Sequence, residues 1–414
     1  MHRSAWGRLV LLAIASLRPS LSIAAEPHPT SGAVVRWPDV AAAADRHPLL
    51  LEAAARARGA AGTVTSAREL PNPTFGLSAG DGRPRDGGAT RREWGYSVEL
   101  PLEFLATRGS RVAAAAASEE GSRQEVRTVR LQVLRDLRRS FVELVHAQAV
   151  VEAGAELEVQ VAQLAALVRK RAERGEGRPT EVPRVEIELE RLRGALERSR
   201  AVEEAQRQRL STWLGAPLTR AEADLSAPLP LPPLDELRER LVSSNPAIQA
   251  SRARLEAAGK EASAERWERF PKFSVGAAHA EELDRVATTF SATVAIPLWN
   301  WNQGKIRQAD AAVEGERARL DALSRELSAQ VAGAWQGCAV GQAAVRRFQV
   351  EIVPRAEGSA RTLGRAFELG EAGLLDVIDA RRVLLDARRE YLDLLLDMQN
   401  ACGDLAALAG LELP

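Results

Sequence analysis

Few residues in this 414-residue chain have the types and spacing that chemistry requires. Cys338 and Cys402 are its two cysteines and its five histidines are scattered, so there is no CxxC, HExxH or His/Cys cluster. Neither a zinc site nor a disulfide scaffold is expected. His146, on a helical stretch, and His279, on an alternating one, stand isolated and fit ordinary packing or surface positions better than metal ligation. The regular acidic pair is Asp376 and Asp379, three residues apart and so on one helix face. Such a pair either complements the positive end of a helix or, repeated around an axis by several copies of the chain, attracts cations. Nothing looks catalytic, and no enzyme activity and no cofactor are implied.

Lys plus Arg and Asp plus Glu both number 56, which leaves no electrostatic argument for a nucleic-acid partner. Hydrophobic residues make up 45% and aromatics 4%, with Ala, Leu, Glu and Arg dominant, a balance that favours long helices. His2, Arg3 and Arg8 precede an apolar stretch and the small residues Ala24 and Ala25, which marks 1–25 as an export signal. No segment reaches the roughly 18 apolar residues of a membrane-spanning helix. Any membrane insertion is therefore by β-strands.

The elements that carry these residues occur twice. His47-Pro48 recurs as Asn245-Pro246 and Pro73-Thr74-Phe75 as Pro271-Lys272-Phe273, 198 residues on. Gly109 recurs as Gly304, Gly175 as Gly370 and Gly215 as Gly410, 195 residues on. A first repeat over 26–222 and a second over 235–414 are joined by a Pro-rich linker, 223–234, whose prolines bar helix continuation. Each repeat reads as a helix (41–69; 234–269), two strands, a very long helix (109–174; 304–368), a glycine-bearing turn and a returning helix (183–213; 374–408). A 65-residue helix is roughly 100 Å long, too long for a compact domain. Gly154 and Pro354 are expected to bend or locally break the long helices.

The strands alternate. Trp94, Tyr96, Val98 and Leu100 oppose Gly95, Ser97 and Glu99; Phe290, Ala292, Val294 and Ile296 oppose Ser291, Thr293 and Ala295. Phe75, Leu77, Ala79 and Phe273, Val275, Ala277 repeat the pattern. Four strands cannot close a usable barrel, whereas three chains would supply twelve. Trp94, Tyr96 and Trp299 are candidates for the membrane interface, with the polar loops 81–92 and 281–285 at the outer end. The helices carry coiled-coil seams at Leu134, Leu137, Phe141, Leu144 and Val151, and at Tyr391, Leu395, Met398, Cys402 and Leu405. Cys338 and Cys402 lie 32 residues either side of Gly370, at one height in an antiparallel hairpin. Equal height does not fix Cβ geometry, so buried free thiols are expected, with a disulfide as the alternative.

Four stretches, RELPNPTF (68–75), ELPLEF followed by RGSR (99–104, 108–111), IPLWNWNQGKI (296–306) and LGEAGLLDVIDARR (369–382), resemble the TolC-like outer-membrane efflux channels, and among them the heavy-metal CzcC-like branch. The resemblance covers essentially the whole mature chain. It implies a mainly α fold with a small β part: a homotrimer with a twelve-stranded barrel in outer-membrane lipid and a long helical barrel in the periplasm. It also implies a passive exit duct served by an inner-membrane RND transporter and a periplasmic adaptor. On this view Asp376 and Asp379 form a ring of six carboxylates that gates the periplasmic mouth. The turns, with Gly175, Gly177, Leu369, Gly370, Gly373, Leu374 and Leu375, offer an adaptor-docking tip on which the three leucines are exposed. The chain departs from the family pattern at Ala372, where an arginine often stands. Cargo other than metal cations, namely drugs or a polypeptide in type I secretion, fits the same duct. A soluble periplasmic coiled-coil adaptor or scaffold is the alternative from another class.

Overall fold

The computed structural model describes residues 34–102, 104–227 and 229–411; the expected export signal lies outside them. The first half runs β1 (Val34–Val35), α1 (Trp37–Ala43), a 3-10 turn (Ala44–Arg46), α2 (Pro48–Arg68), β2 (Thr74–Gly82), β3 (Arg91–Pro101), α3 (Phe104–Glu173), α4 (Glu181–Leu214) and β4 (Arg220–Ala221). The second runs α5 (Leu234–Ser244), α6 (Pro246–Trp267), β5 (Lys272–Glu281), β6 (Val286–Ala295), α7 (Gln303–Arg347), a π-helical turn (Phe348–Ile352), α8 (Val353–Leu369) and α9 (Leu374–Leu408). Among the described residues no helix is long and apolar enough to cross a membrane.

Two helices expected to be single are each divided ahead of a proline. Pro48 and Pro246 open α2 and α6 because a proline at the first helical position forgoes an N–H that would be orphaned anyway. Proline also pushes its predecessor into extended backbone, and His47 and Asn245 sit there as N-caps. His47 Nδ1 accepts from Leu49 N–H at 3.3 Å and Asn245 Oδ1 from Ala247 N–H at 3.0 Å. The long helices differ between the halves. α3 runs unbroken for 70 residues, through Gly154, where Leu196 of α4 packs closely. Its counterpart is interrupted by the π turn just before Pro354, whose ring presses on the carbonyl four residues back; the wider turn absorbs that demand.

The largest core lies midway along the helices. Leu137, Phe141 and Leu144 of α3, Val331 and Cys338 of α7, Met398 and Cys402 of α9, and Leu237 and Leu241 of α5 are buried together. The parallel pair β1 and β4 ties the start of the first half to its end. The linker then crosses α7, where Trp335 Nε1 donates to the Pro232 carbonyl at 2.9 Å and Gln342 Nε2 to the Leu229 carbonyl at 2.8 Å. Beneath it, Arg138 donates to Gln399 Oε1 at 2.9 Å and Gln399 donates to the Leu225 carbonyl at 2.8 Å, so a buried polar chain joins α3, α9 and the linker.

β2, β3, β5 and β6 form one antiparallel sheet in that order, with β2 and β6 at open edges. The register places Phe75 opposite Val98, Leu77 opposite Tyr96, Val98 opposite Ala277 and Ala277 opposite Phe290. The alternations of all four strands therefore coincide in one apolar face. The other carries Gly76, Ser78, Ser97, Glu99, Ser274, Gly276, Ser291 and Thr293. Among the described residues no helix covers the apolar face: Phe75, Leu77, Trp94, Phe273 and Phe290 are all exposed in the protomer.

Cys338 and Cys402 form a buried disulfide between α7 and α9, not the free thiols expected. The helices approach to a Cα separation of 4.8 Å at this pair because glycines flank Cys338: a Cβ at Gly341 would stand 3.2 Å from the Cα of Met398, and one at Gly337 3.8 Å from Ala401 Cβ. Closing a loop over a separation of 64 residues stabilises by about 4 kcal/mol on a chain-entropy account. Cys338→Ser with Cys402→Ser is expected to lower the thermal midpoint of helix loss, followed by circular dichroism in detergent. A reductant lowers the midpoint of the wild type and leaves that of the variant unchanged.

Candidate functional site

At the far end of the long helices both hairpins turn on a left-handed glycine, Gly175 (φ 74°) and Gly370 (φ 82°). Glu176 N–H donates to the Arg171 carbonyl at 3.0 Å and Glu371 N–H to the Ala366 carbonyl at 2.8 Å, so both turns close in the same way. Gly177 folds back against the Arg171 backbone, where a Cβ would be crowded. Gly373 is the N-cap of α9, and Asp376 Oδ2 accepts its N–H at 3.0 Å. Asp376 thus caps the helix, and it shares an exposed face with Asp379.

The two tips are joined. Leu164, Val168 and Val185 of the first hairpin pack with Phe367, Leu374 and Val377 of the second. Leu369 and Leu375 are 74% and 60% exposed, whereas Leu374 is 2% exposed. The expected exposed triplet is therefore a pair. Leu374 starts α9 on the inward side, beneath Phe367, and belongs to the tip core. Arg171 fastens the tips: it donates to the Phe367 carbonyl at 2.9 Å and to the Glu368 carbonyl at 2.6 Å, with its guanidinium 4.9 Å from the Phe367 ring centroid. The sequence shows Arg171 only as a cation near a helix end; its partners are carbonyls almost 200 residues away. The turn that lacks an arginine of its own at Ala372 is thus served from the other hairpin.

Beside the acidic pair, Arg382 of α9 bonds Glu188 of α4 through Nε at 2.8 Å and again through Nη2. That bond holds the Glu188 carboxyl below the ordinary glutamate range, against the opposing effect of burial. Arg382 is correspondingly raised, chiefly by Glu188, with Asp379 and Asp386 adding to the field. Higher up, Arg388 reaches both Glu156 of α3, at 3.0 Å, and Glu357 of α8, at 2.8 Å. His146 is not isolated: its Nε2 lies 2.9 Å from Asp393 Oδ1, linking α3 to α9.

At the opposite end, Tyr96 stacks on Trp94 and on His279 at centroid distances of 6.1 and 5.2 Å, and Trp94 meets His279 tilted at 6.2 Å. Trp94 Nε1 donates to Glu281 Oε2 at 2.7 Å, and His279 Nδ1 lies 2.9 Å from the Thr288 hydroxyl. Trp299 does not join this group. It follows β6 at the helix-proximal end of the sheet and is 88% exposed. His279 was visible only as a lone histidine because its neighbours come from the β3–β5 register, which crosses the two halves.

A two-faced sheet with open edges, mounted on helical hairpins roughly 100 Å long, is the fold of solved outer-membrane channels. The solved structure of CusC, determined to follow the conformational changes of its folding and transmembrane channel formation, superposes with a TM-score of 0.79 at 18% identity, over 94% of this chain and 96% of that one. The family model described as outer membrane efflux protein matches twice, at residues 40–216 and 237–411, and the chain belongs to that family. It lies in the outer membrane, with its helical barrel in the periplasm. The cobalt-zinc-cadmium resistance protein CzcC of Cupriavidus metallidurans is 26% identical over 96% of this chain and 98% of its own. The nickel-cobalt-cadmium resistance protein NccC of Alcaligenes xylosoxydans xylosoxydans is 25% identical over 68% of this chain and 65% of its own.

Since the folded-state Glu188 titrates below its ordinary value of 4.5, stability from the Arg382 pair is fully present above that value and is lost as pH falls through the folded-state pKa. Arg382→Gln is therefore expected to lower the melting midpoint at neutral pH, by a margin that closes in strong acid. Melting curves across an acid series check it.

Proposed function

We propose that this chain is the passive exit duct of a tripartite RND-type efflux system for heavy-metal cations, working as a homotrimer. The observation that carries the cargo is the end-to-end similarity to CzcC, a cobalt-zinc-cadmium resistance protein. Three copies pair the open edges of β2 and β6 and close twelve strands, an even number suited to a membrane barrel. In that barrel the apolar face meets lipid and the face with Ser78, Ser97, Glu99 and Ser291 lines the water path. Trp94 and Tyr96 mark the outer interface and Trp299 the inner one.

At the periplasmic mouth, Asp376 and Asp379 from three copies make a ring of six carboxylates that draws in cations and, pairing with neighbouring arginines, holds the mouth narrow as its gate. Leu369 and Leu375, either side of the turn at Gly370 and Gly373, form the apolar surface for the periplasmic adaptor together with the neighbouring turn at Gly175 and Gly177, with Leu374 buried in the tip core. The inner-membrane transporter supplies the energy, and the duct itself performs no chemical step.

Deleting the gene is expected to lower tolerance to cobalt, zinc and cadmium salts and to leave drug tolerance unchanged; the reverse pattern would make this a drug duct. Asp379→Ala, which leaves the Asp376 cap intact, and the double variant with Asp376→Ala are each expected to raise single-channel conductance and weaken block by multivalent cations in planar bilayers. Unchanged conductance in both would refute the gate.

A further inference from the structure

We propose that the outer rim of the sheet binds the phosphorylated sugar headgroup of an outer-leaflet glycolipid, with Arg83, Arg85 and Arg92 as its phosphate ligands. This rests on the membrane placement of the sheet given above. The connection from β2 to β3 and the start of β3 carry Arg83, Arg85, Arg91 and Arg92 against Asp81 and Asp86. All four arginines are exposed. Among the described residues none of the four makes an ion pair or a side-chain hydrogen bond, although Asp81 stands directly opposite Arg92 in the register. The other rim loop satisfies its own cation: Arg285 Nε donates to Glu282 Oε2 at 2.7 Å. Elsewhere arginines are drawn into cross-helix pairs, such as those of Arg254 with Glu125 and Arg209 with Glu143. The rim thus carries four exposed guanidinium groups within ten residues of chain, beside the aromatic group of β3 and β5.

Its position is defined by the strand register. Gly87 N–H donates to the Pro84 carbonyl at 3.2 Å, a turn that carries Arg85 at its tip, and Arg83 directly follows Gly82, which pairs with Arg91. Alternation puts Arg92 on the same face as Trp94, Tyr96 and His279, and puts Arg91 on the opposite face with Glu93 and Gly95. On the apolar face the order from the rim inward is therefore Arg92, then the Trp94–Tyr96–His279 stack with Glu281, then Val98 and the apolar band. That sequence of charge, aromatic shelf and hydrocarbon matches a lipid that presents phosphate, sugar and acyl chains in the same order. The guanidinium fork binds phosphate oxygens bidentately, and the stacked rings offer flat surfaces for a sugar. A free phosphate would use the arginines alone and would gain nothing from the shelf.

The test uses the full-length trimer in detergent micelles doped with purified lipid A, with dephosphorylated lipid A, or with inorganic phosphate only, and counts retained lipid by native mass spectrometry. The triple variant Arg83→Gln, Arg85→Gln, Arg92→Gln is expected to lose lipid A retention by about tenfold. Arg91→Gln, on the opposite face, is expected to retain it like the wild type, and dephosphorylated lipid is expected to bind poorly to all forms. Equal retention by the triple variant, an equal loss in Arg91→Gln, or displacement of lipid A by inorganic phosphate overturns the assignment. Arg92→Gln alone, expected to show part of the loss, serves if the triple variant does not fold. Outer-membrane fractionation of the wild type is scored in parallel: failure there strikes the membrane placement, whereas failure of retention with correct fractionation strikes the rim alone.

Discussion

A strand edge in hydrocarbon has nowhere to place its N–H and C=O groups. That constraint governs this molecule, because each protomer presents two such edges, on β2 and on β6, and a sheet uncovered on both faces. The chain cannot satisfy them by itself: its helices lead away from the sheet at one end and do not fold back over it. Closure has to come from identical copies. The protomer is accordingly stable where it is solid, in the mid-helix core around Leu137, Phe141 and Leu241, and incomplete where it is a wall.

The two halves repeat a plan but spend it differently. In the first, α3 is one continuous rod and carries the cross-links outward: Arg171 to the other tip, Glu156 to Arg388, His146 to Asp393. In the second, the equivalent rod is divided by a π turn, with a disulfide above that turn and the Arg388 bridge below it. Even the paired N-caps diverge. Asn245 donates to the Leu408 carbonyl at 2.9 Å, while His47 stacks on Trp213 at 4.9 Å. Duplication set the positions of the elements, and the residues then gave one half rigidity and the other its interruption.

Much of this was legible in the sequence, where the signal is local. The alternation of Trp94, Tyr96 and Val98 is carried by one strand and needs no partner to be seen, and the seam of Leu395, Met398, Cys402 and Leu405 is carried by one helix. The turns at Gly175 and Gly370 were equally plain, since only glycine takes that backbone without strain. What was hidden depends on distances between elements. Leu374 looked exposed because it follows a turn, yet the inward start of α9 buries it. The two cysteines were placed at one height, but their bonding depends on how closely two helices approach at Gly341, which no spacing reveals. His279, Arg171 and the Glu188–Arg382 pair take their surroundings from the opposite half of the chain.

The order of strands in the sheet has a consequence for biogenesis. β3 and β5 are neighbours, yet α3, α4, the linker, α5 and α6 lie between them in the chain, and the bond from Trp94 to Glu281 spans 187 residues. The β2–β3 pair is therefore made long before the strand it needs, with an unpaired border and an exposed apolar surface. Contacts of such high order form slowly, and an unpaired border in transit invites mispairing. Until β5 is in place β3 has no correct neighbour on that side, so the second half of the chain limits the folding of the first.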